Sequence, residues 1–279
     1  MNEFQEKRIG VFDSGVGGLT VLKELERQLP RESILYFGDT ARLPYGKRSK
    51  AEILQFVLEI LTWMAGEGVK MVVMACNTSS ALALDEVRAL FDFPILGLIL
   101  PGARAAVRQG RRIGAIATPA TVASNAYRQA ILEIDADVRV WQVSCPEFVP
   151  LIEENRIYHP YTRQVAMDYL QPLLDRQIDT LIYGCTHYPH LAPVLKTILP
   201  SRVCLVNPAY YVAKAALREL KLLGLDNTRE KHPTRFCVSG DPQRFSQLSR
   251  QWLQEAPNVE KVYLSSARLA SMPLNSVDL

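Results

Sequence analysis

The sequence predicts an α/β protein: two pseudo-symmetric parallel-sheet α/β domains facing each other across a cleft that holds the functional site. Three observations lead there. Short apolar runs alternate with longer stretches whose apolar residues recur at helical spacing, the pattern of a parallel sheet covered by helices. The pattern then restarts, because Arg112-Ile113-Gly114-Ala115-Ile116 echoes Arg8-Ile9-Gly10-Val11-Phe12. Residues 69–76 also align with residues 178–185, each run ending in a small residue and a cysteine, Ala75-Cys76 and Gly184-Cys185.

Taken in order, residues 8–12, 34–37, 71–75 and 95–98 predict strands, and residues 19–29, 50–65 and 80–91 predict helices between them. Strands this apolar suit a sheet buried on both faces, and right-handed crossovers are the expected connection. In the second copy the strands are residues 112–116 and 178–185. After each cysteine a threonine follows closely, Thr78 and Thr186, and a helix pattern begins, near residue 79 in one copy and at Pro189 in the other. Proline suits a first helical turn. Beyond Pro208 come a helix at 209–223, a strand at 235–238, a helix at 242–253 and a strand at 259–264. The expected division is residues 1–98 plus 210–279 as the first domain and 99–209 as the second.

At 279 residues, with 48% hydrophobic and 22% charged, the chain can bury a full core and exceeds the usual single-domain length of ~100–150 residues. Its net charge of +3 carries no basic block, so a nucleic-acid partner is not expected. Residues 1–8 are polar and ionic, unlike a secretion signal. The most apolar stretches, 69–76 and 94–100, fall far short of the ~20 residues a membrane helix needs. Five widely spaced cysteines fit a reducing, cytoplasmic setting. The very apolar helix at 53–64, with Trp63, is either core or the face of a homodimer.

Cys76 and Cys185 carry the chemical signal. Parallel α/β sheets bind ligands beyond the carboxyl ends of their strands, where helix N-termini present free N–H groups. A thiol there is expected to have its pKa lowered toward neutrality. Across a pseudo-two-fold axis, two such thiols would address opposite faces of one carbon, which suits stereoinversion. Cys145, Cys204 and Cys237 are expected to be small buried hydrophobes. The rival is a metal site, since Cys185-Thr186-His187-Tyr188-Pro189-His190 offers a thiol and two imidazoles and Cys76 a fourth ligand. No C-x-x-C pair is present, which argues against a dithiol redox site.

The run Asp13-Ser14-Gly15-Val16-Gly17-Gly18 follows the first strand and opens a helix, but it is not G-x-G-x-x-G. It predicts a tight turn approaching a small ligand. Asp13 is there either to hold an ammonium group or to cap the helix.

These segments resemble the glutamate racemase family of the aspartate/glutamate racemase superfamily. The resemblance runs through Asp13 to Val21, Gly38-Asp39-Thr40-Ala41-Arg42-Leu43-Pro44-Tyr45-Gly46, Ala75-Cys76-Asn77-Thr78 and Gly184-Cys185-Thr186-His187-Tyr188-Pro189, with Pro101-Gly102-Ala103 and Ser124-Asn125-Ala126-Tyr127 also familial. It covers residues 8–210. It implies a cofactor-independent racemase with no pyridoxal phosphate and no metal, which interconverts L- and D-glutamate and supplies D-glutamate for peptidoglycan. It further implies Cys76 and Cys185 as the acid/base pair, with Asp13, His187 and Glu153 assisting. Asp13, Ser14, Tyr45, Gly46, Asn77, Thr78, Thr186 and His187 would bind glutamate. The chain departs from the pattern at Ser79, where many relatives carry alanine, and at Ala117-Thr118-Pro119-Ala120-Thr121, where many carry glycine. Nothing after about Lys221 transfers residue by residue. The alternatives are a racemase of the same superfamily acting on aspartate or another dicarboxylate, and a non-catalytic small-molecule or metal-binding protein. Against aspartate, the Gly-Gly-x-Gly-Pro turn usual there is absent.

Overall fold

A computed structural model describes residues 3–264. Residues 265–279, expected to belong to the first domain, lie outside the described residues. The elements in chain order are β1 (Ile9–Asp13), α1 (Leu19–Gln28), β2 (Ile34–Gly38), α2 (Lys50–Gly66), β3 (Met71–Met74), α3 (Asn77–Leu82), α4 (Leu84–Val87), β4 (Ile95–Gly97) and α5 (Ile99–Gln109). There follow β5 (Arg112–Ala117), α6 (Pro119–Ala123), α7 (Ala126–Ile134), β6 (Arg139–Ser144), α8 (Phe148–Glu153), α9 (Pro160–Asp175), β7 (Thr180–Gly184), α10 (Ala192–Ile198) and β8 (Cys204–Val206). The described chain closes with α11 (Pro208–Leu223), β9 (Arg235–Val238), α12 (Pro242–Ser249) and β10 (Val259–Lys261).

The strands form two parallel sheets, the architecture of two α/β domains. One has the order β10-β9-β2-β1-β3-β4 and the other β6-β5-β7-β8. The repetition legible in the sequence is a repetition of topology: β1 pairs with β2 on one side and β3 on the other, and β5 pairs likewise with β6 and β7. Each sheet therefore reverses its winding between its first and third strands, opening a crevice at their carboxyl ends. Asp13 and Cys76 stand there in one half, Thr118 and Cys185 in the other. After β8, the chain returns through α11 to the first sheet, where β9 pairs with β2.

Residues of β1, β2, β3 and β7 are buried throughout, which is why they read as unbroken apolar runs. The helix α2 is capped by Ser49 and Glu52 in a reciprocal capping box. It buries Ile53, Val57, Ile60, Leu61 and Met64, each worth about 1.5–3 kcal/mol. Trp63 packs on Phe37 with ring centroids 5.0 Å apart. This apolar helix thus builds core.

Two predicted helices are shorter than expected. The pattern at 80–91 breaks at Ala83 into α3 and α4. Ser80 draws the chain onto β4, its hydroxyl donating to the Met74 carbonyl and accepting from the Leu98 N–H. Such side-chain bonds compete with regular helix. At 242–253 the helix ends at Ser249, whose hydroxyl donates to the Phe245 carbonyl. Among the described residues no helix is long and apolar enough to cross a membrane.

Candidate active site

A cleft of about 360 Å³ lies where the two crevices face each other. From the first half it is lined by Asp13 and Ser14 after β1, Tyr45 and Gly46 after β2, and Cys76, Asn77 and Thr78 after β3. From the second half come Glu153 at the end of α8 and Cys185, Thr186 and His187 after β7. All eleven residues singled out in the sequence meet on this one cavity.

Cys76 is the N-cap of α3. Its thiol is not lowered as that position alone suggests: burial, then the neighbouring charges of Asp13 and Cys185, push it up to about 12. Desolvation outweighs the short helix's dipole. Cys185 does not stand at the start of a regular helix, since a turn and a 3-10 segment (Tyr188–Leu191) separate it from α10. Its partner is a side chain instead. His187 Nδ1 lies 3.8 Å from Cys185 Sγ, and His187 Nε2 lies 3.2 Å from Glu153 Oε1. Burial works against the charged ring, but those two bonds outweigh it and hold His187 up at about 10.

Asp13 braces the turn before α1, whose N-cap is Gly18. Its Oδ2 accepts the N–H groups of Gly15 (3.1 Å) and Gly18 (2.8 Å), fixing the glycine turn. Its Oδ1 is buried without a partner, as suits a site that receives a cation. Burial raises its pKa, opposed by His187 and the turn's N–H groups.

The two halves touch through small groups. A Cβ on Gly17 would lie 2.3 Å from His187 Nδ1, and one on Gly46 would lie 2.8 Å from Thr118 Cβ; glycine is what permits these approaches. Thr20 donates to the Thr186 carbonyl at 3.2 Å. Thr78, Thr118 and Thr121 share hydroxyl contacts of 2.9–3.2 Å. Asn77 Oδ1 accepts from the Tyr127 hydroxyl at 2.6 Å, which leaves its NH₂ as the group free to donate.

The comparisons fit this geometry. The Asp/Glu/hydantoin racemase family model matches residues 9–216. A glutamate racemase from Microcystis aeruginosa is 69% identical over 265 residues, covering 95% of this chain and 94% of that protein. The chain belongs to the Asp/Glu/hydantoin racemase family. Among solved structures, glutamate racemase isoform RacE1 from Bacillus anthracis superposes with a TM-score of 0.90 at 37% identity, covering 93% of this chain and 98% of that one. Glutamate racemase from Francisella tularensis, in complex with D-glutamate, gives 0.89 at 38% identity, covering 94% and 99%.

Within this racemase fold, several cleft residues were not foreseen. Thr118 caps α6 and Pro119 occupies its first turn, so the departure from glycine noted there builds cleft wall. Cys145, expected as plain core, is buried yet lines the cleft too. Arg244 of α12 reaches the rim from the C-terminal stretch, where no motif marked it. Asp39 lies behind Tyr45, accepting from its hydroxyl, from Arg42 Nε at 2.6 Å and from Ser239 at 2.7 Å. His190, a donor in the metal alternative, packs against Trp252 with tilted rings whose centroids are 5.1 Å apart and does not line the cleft. Among the described residues no group of three or more His, Cys, Asp or Glu side chains is arranged to hold a metal ion.

Proposed function

We propose that this protein is a cofactor-independent glutamate racemase in which Cys76 and Cys185 serve opposite faces of the α-carbon. One observation carries the reading: the two thiols end symmetry-equivalent strands, β3 and β7, and line one cleft. Their partners differ. The His187 imidazolium lies beside Cys185 Sγ, while burial and Asp13 favour the neutral thiol at Cys76.

With L-glutamate bound, the Cys185 thiolate takes the α-proton and the Cys76 thiol gives its proton to the other face. D-glutamate leaves, and the two sulfurs have exchanged charge. The reverse reaction starts from the Cys76 thiolate, with Asp13 as its proton partner. The α-proton is weakly acidic, so fixed donors must stabilise the enolate-like transition state. The Asn77 amide, the Thr78 and Thr186 hydroxyls and nearby N–H groups are the donors for the α-carboxylate. Asp13 Oδ1 receives the ammonium, and Ser14 with the Tyr45-Gly46 segment holds the remaining groups.

We assign the D-glutamate product to peptidoglycan synthesis in the cytoplasm, and residues 1–98 plus 210–279 and 99–209 to the two bodies that close on substrate; the sheet to which each strand belongs supports that division. The test is the loss of circular dichroism of L-glutamate incubated with purified protein, without pyridoxal phosphate and with a chelator present. Racemisation of glutamate, with aspartate far slower, is expected. Equal rates on both amino acids defeat the substrate assignment, and a rate abolished by chelator and restored by zinc defeats the thiol mechanism.

A further inference from the structure

Glu153 is the last residue of α8, and among the described residues its carboxylate makes no hydrogen bond except to His187. The position of that carboxylate therefore follows the position of the helix. Helix α8 has six residues, and stretches shorter than about 12–15 residues are marginal as helices in water. What fixes α8 must come from outside it.

The supports come from α9 and from the segment after Cys185. Glu147, the N-cap of α8, accepts the Tyr161 hydroxyl at 2.5 Å and the Tyr169 hydroxyl at 3.0 Å. Both tyrosines belong to α9, and their separation of about two turns places them on one face. Next to Glu147, the buried Phe148 ring meets Tyr169 edge to face at 5.2 Å and Tyr188 at 5.1 Å, the arrangement that aromatic quadrupoles favour. Tyr188 follows His187 directly, and its hydroxyl donates to the Cys145 carbonyl at 2.8 Å. Beyond the far end of α8, the Thr162 hydroxyl of α9 donates to the Arg156 carbonyl at 2.6 Å. The Arg156 N–H in turn donates to the Leu151 carbonyl of α8 at 2.9 Å. Helix α9 thus grips α8 at both ends. One row of rings, Tyr169, Phe148 and Tyr188, carries that grip to the neighbour of His187.

We propose that Glu147, Tyr161 and Tyr169 are positioning residues for the racemisation: their two hydrogen bonds set α8 so that Glu153 meets His187 at 3.2 Å. None of the three lines the cleft, so they act through α8 alone. Hydrogen bonds to a carboxylate are among the stronger ones, and Glu147 accepts two. Cys185 and Glu153 touch His187, with Asp13 and His190 near it; of these four, α8 carries only Glu153. The effect of the three residues on turnover rests on the reading in which His187 assists Cys185. Their effect on His187 itself does not.

The test is the double variant Tyr161→Phe/Tyr169→Phe, which removes both hydroxyls and keeps both rings against Phe148. NMR titration of the ¹³C-labelled histidine rings, four in the chain, follows His187 without turnover. Its midpoint is expected to fall by about half a pH unit or more, roughly threefold in the ratio of charged to neutral ring. The alkaline limb of kcat/KM should fall with it. Glu147→Leu, which removes the same bonds from the other end, should give the same shift. Glu153→Gln should lower the midpoint at least as far, and adding the two tyrosine substitutions to it should lower it no further. A variant that loses thermal stability while His187 titrates as in the wild type overturns the proposal. So does a shift that adds in full to that of Glu153→Gln, because the tyrosines would then reach His187 by another route. If the midpoint shifts as expected in a protein that does not racemise glutamate, the positioning stands and the proposed activity falls.

Discussion

Tyr127 reaches across from the second half of the molecule to donate a 2.6 Å hydrogen bond to Asn77 Oδ1, one residue past Cys76. The bond fixes which end of the Asn77 amide faces the cleft. Tyr127→Phe removes the donor and leaves a buried carbonyl oxygen unpaired, a cost of about 1–3 kcal/mol. The expected result is a folded protein whose kcat falls roughly tenfold or more. Unchanged steady-state kinetics would remove Asn77 from the substrate site.

Replacing Cys76 or Cys185 by alanine is expected to lower racemisation by about 10²–10⁴-fold or more, the usual worth of a positioned acid or base. Cys204→Ala and Cys237→Ala, away from the cleft, leave it intact. In deuterated water, label should enter the enantiomer being formed well before the recovered substrate. Label appearing in both at comparable rates is the signature of a single base. Near wild-type turnover by Cys185→Ala ends the two-thiol reading.

His187 sets the alkaline limit. Its pKa is held up at about 10 by Cys185 and Glu153 against burial, so the ring stays charged through neutral pH. Because the folded value exceeds the ordinary 6.5, the stability it contributes is complete below about 6.5 and lost as pH rises toward about 10. Glu153→Gln removes one support, and the alkaline limb of kcat/KM should move to lower pH. A pH–rate profile that superposes on the wild type refutes this.

Gly17→Ala tests the meeting of the halves. The new Cβ would overlap His187 Nδ1 and sit 2.7 Å from Thr186 Oγ1. Displacements near 1 Å at a reacting centre cost about 10²-fold. Kinetics should show that loss, with thermal unfolding little changed. Full activity would mean that the approach of Gly17 to His187 is not maintained in the working enzyme.

Lys70 and Glu32 predict the converse. Their buried ion pair, 2.6 Å long, sits away from the cleft, and Lys70 also donates to the carbonyls of Gln5 and Leu225. Lys70→Ala leaves a buried carboxylate unpaired and should destabilise by roughly 3–5 kcal/mol. Denaturant titration measures the loss, and kcat of the folded fraction should be unchanged.

How much of this was legible depended on burial. Strands enclosed on both faces, such as β1 and β7, declare themselves as apolar runs. The edge strand β6, with only Val140 buried, carries no such mark. Cys76 and Cys185 could be read because repetition singles them out, and Asp13 because it opens a glycine turn. Arg244 reaches the rim from a helix that packs there only after the chain returns to the first sheet, and no local pattern encodes that return. The Cys76 thiol was misjudged for a related reason: a helix start is visible in sequence, whereas the burial that pushes its pKa up is not.

The unlike neighbours of the two thiols, a carboxyl at Cys76 and an imidazole at Cys185, have a thermodynamic consequence for the proposed reaction. Mirror-image amino acids are equally stable in water, so kcat/KM must be the same from either side whatever the protein does. An asymmetric pair of acids and bases cannot favour one product. It can only divide each ratio differently, so that the direction with the larger kcat must also have the larger KM. Which direction that is measures how far Asp13 and His187 have made two copies of one scaffold unequal.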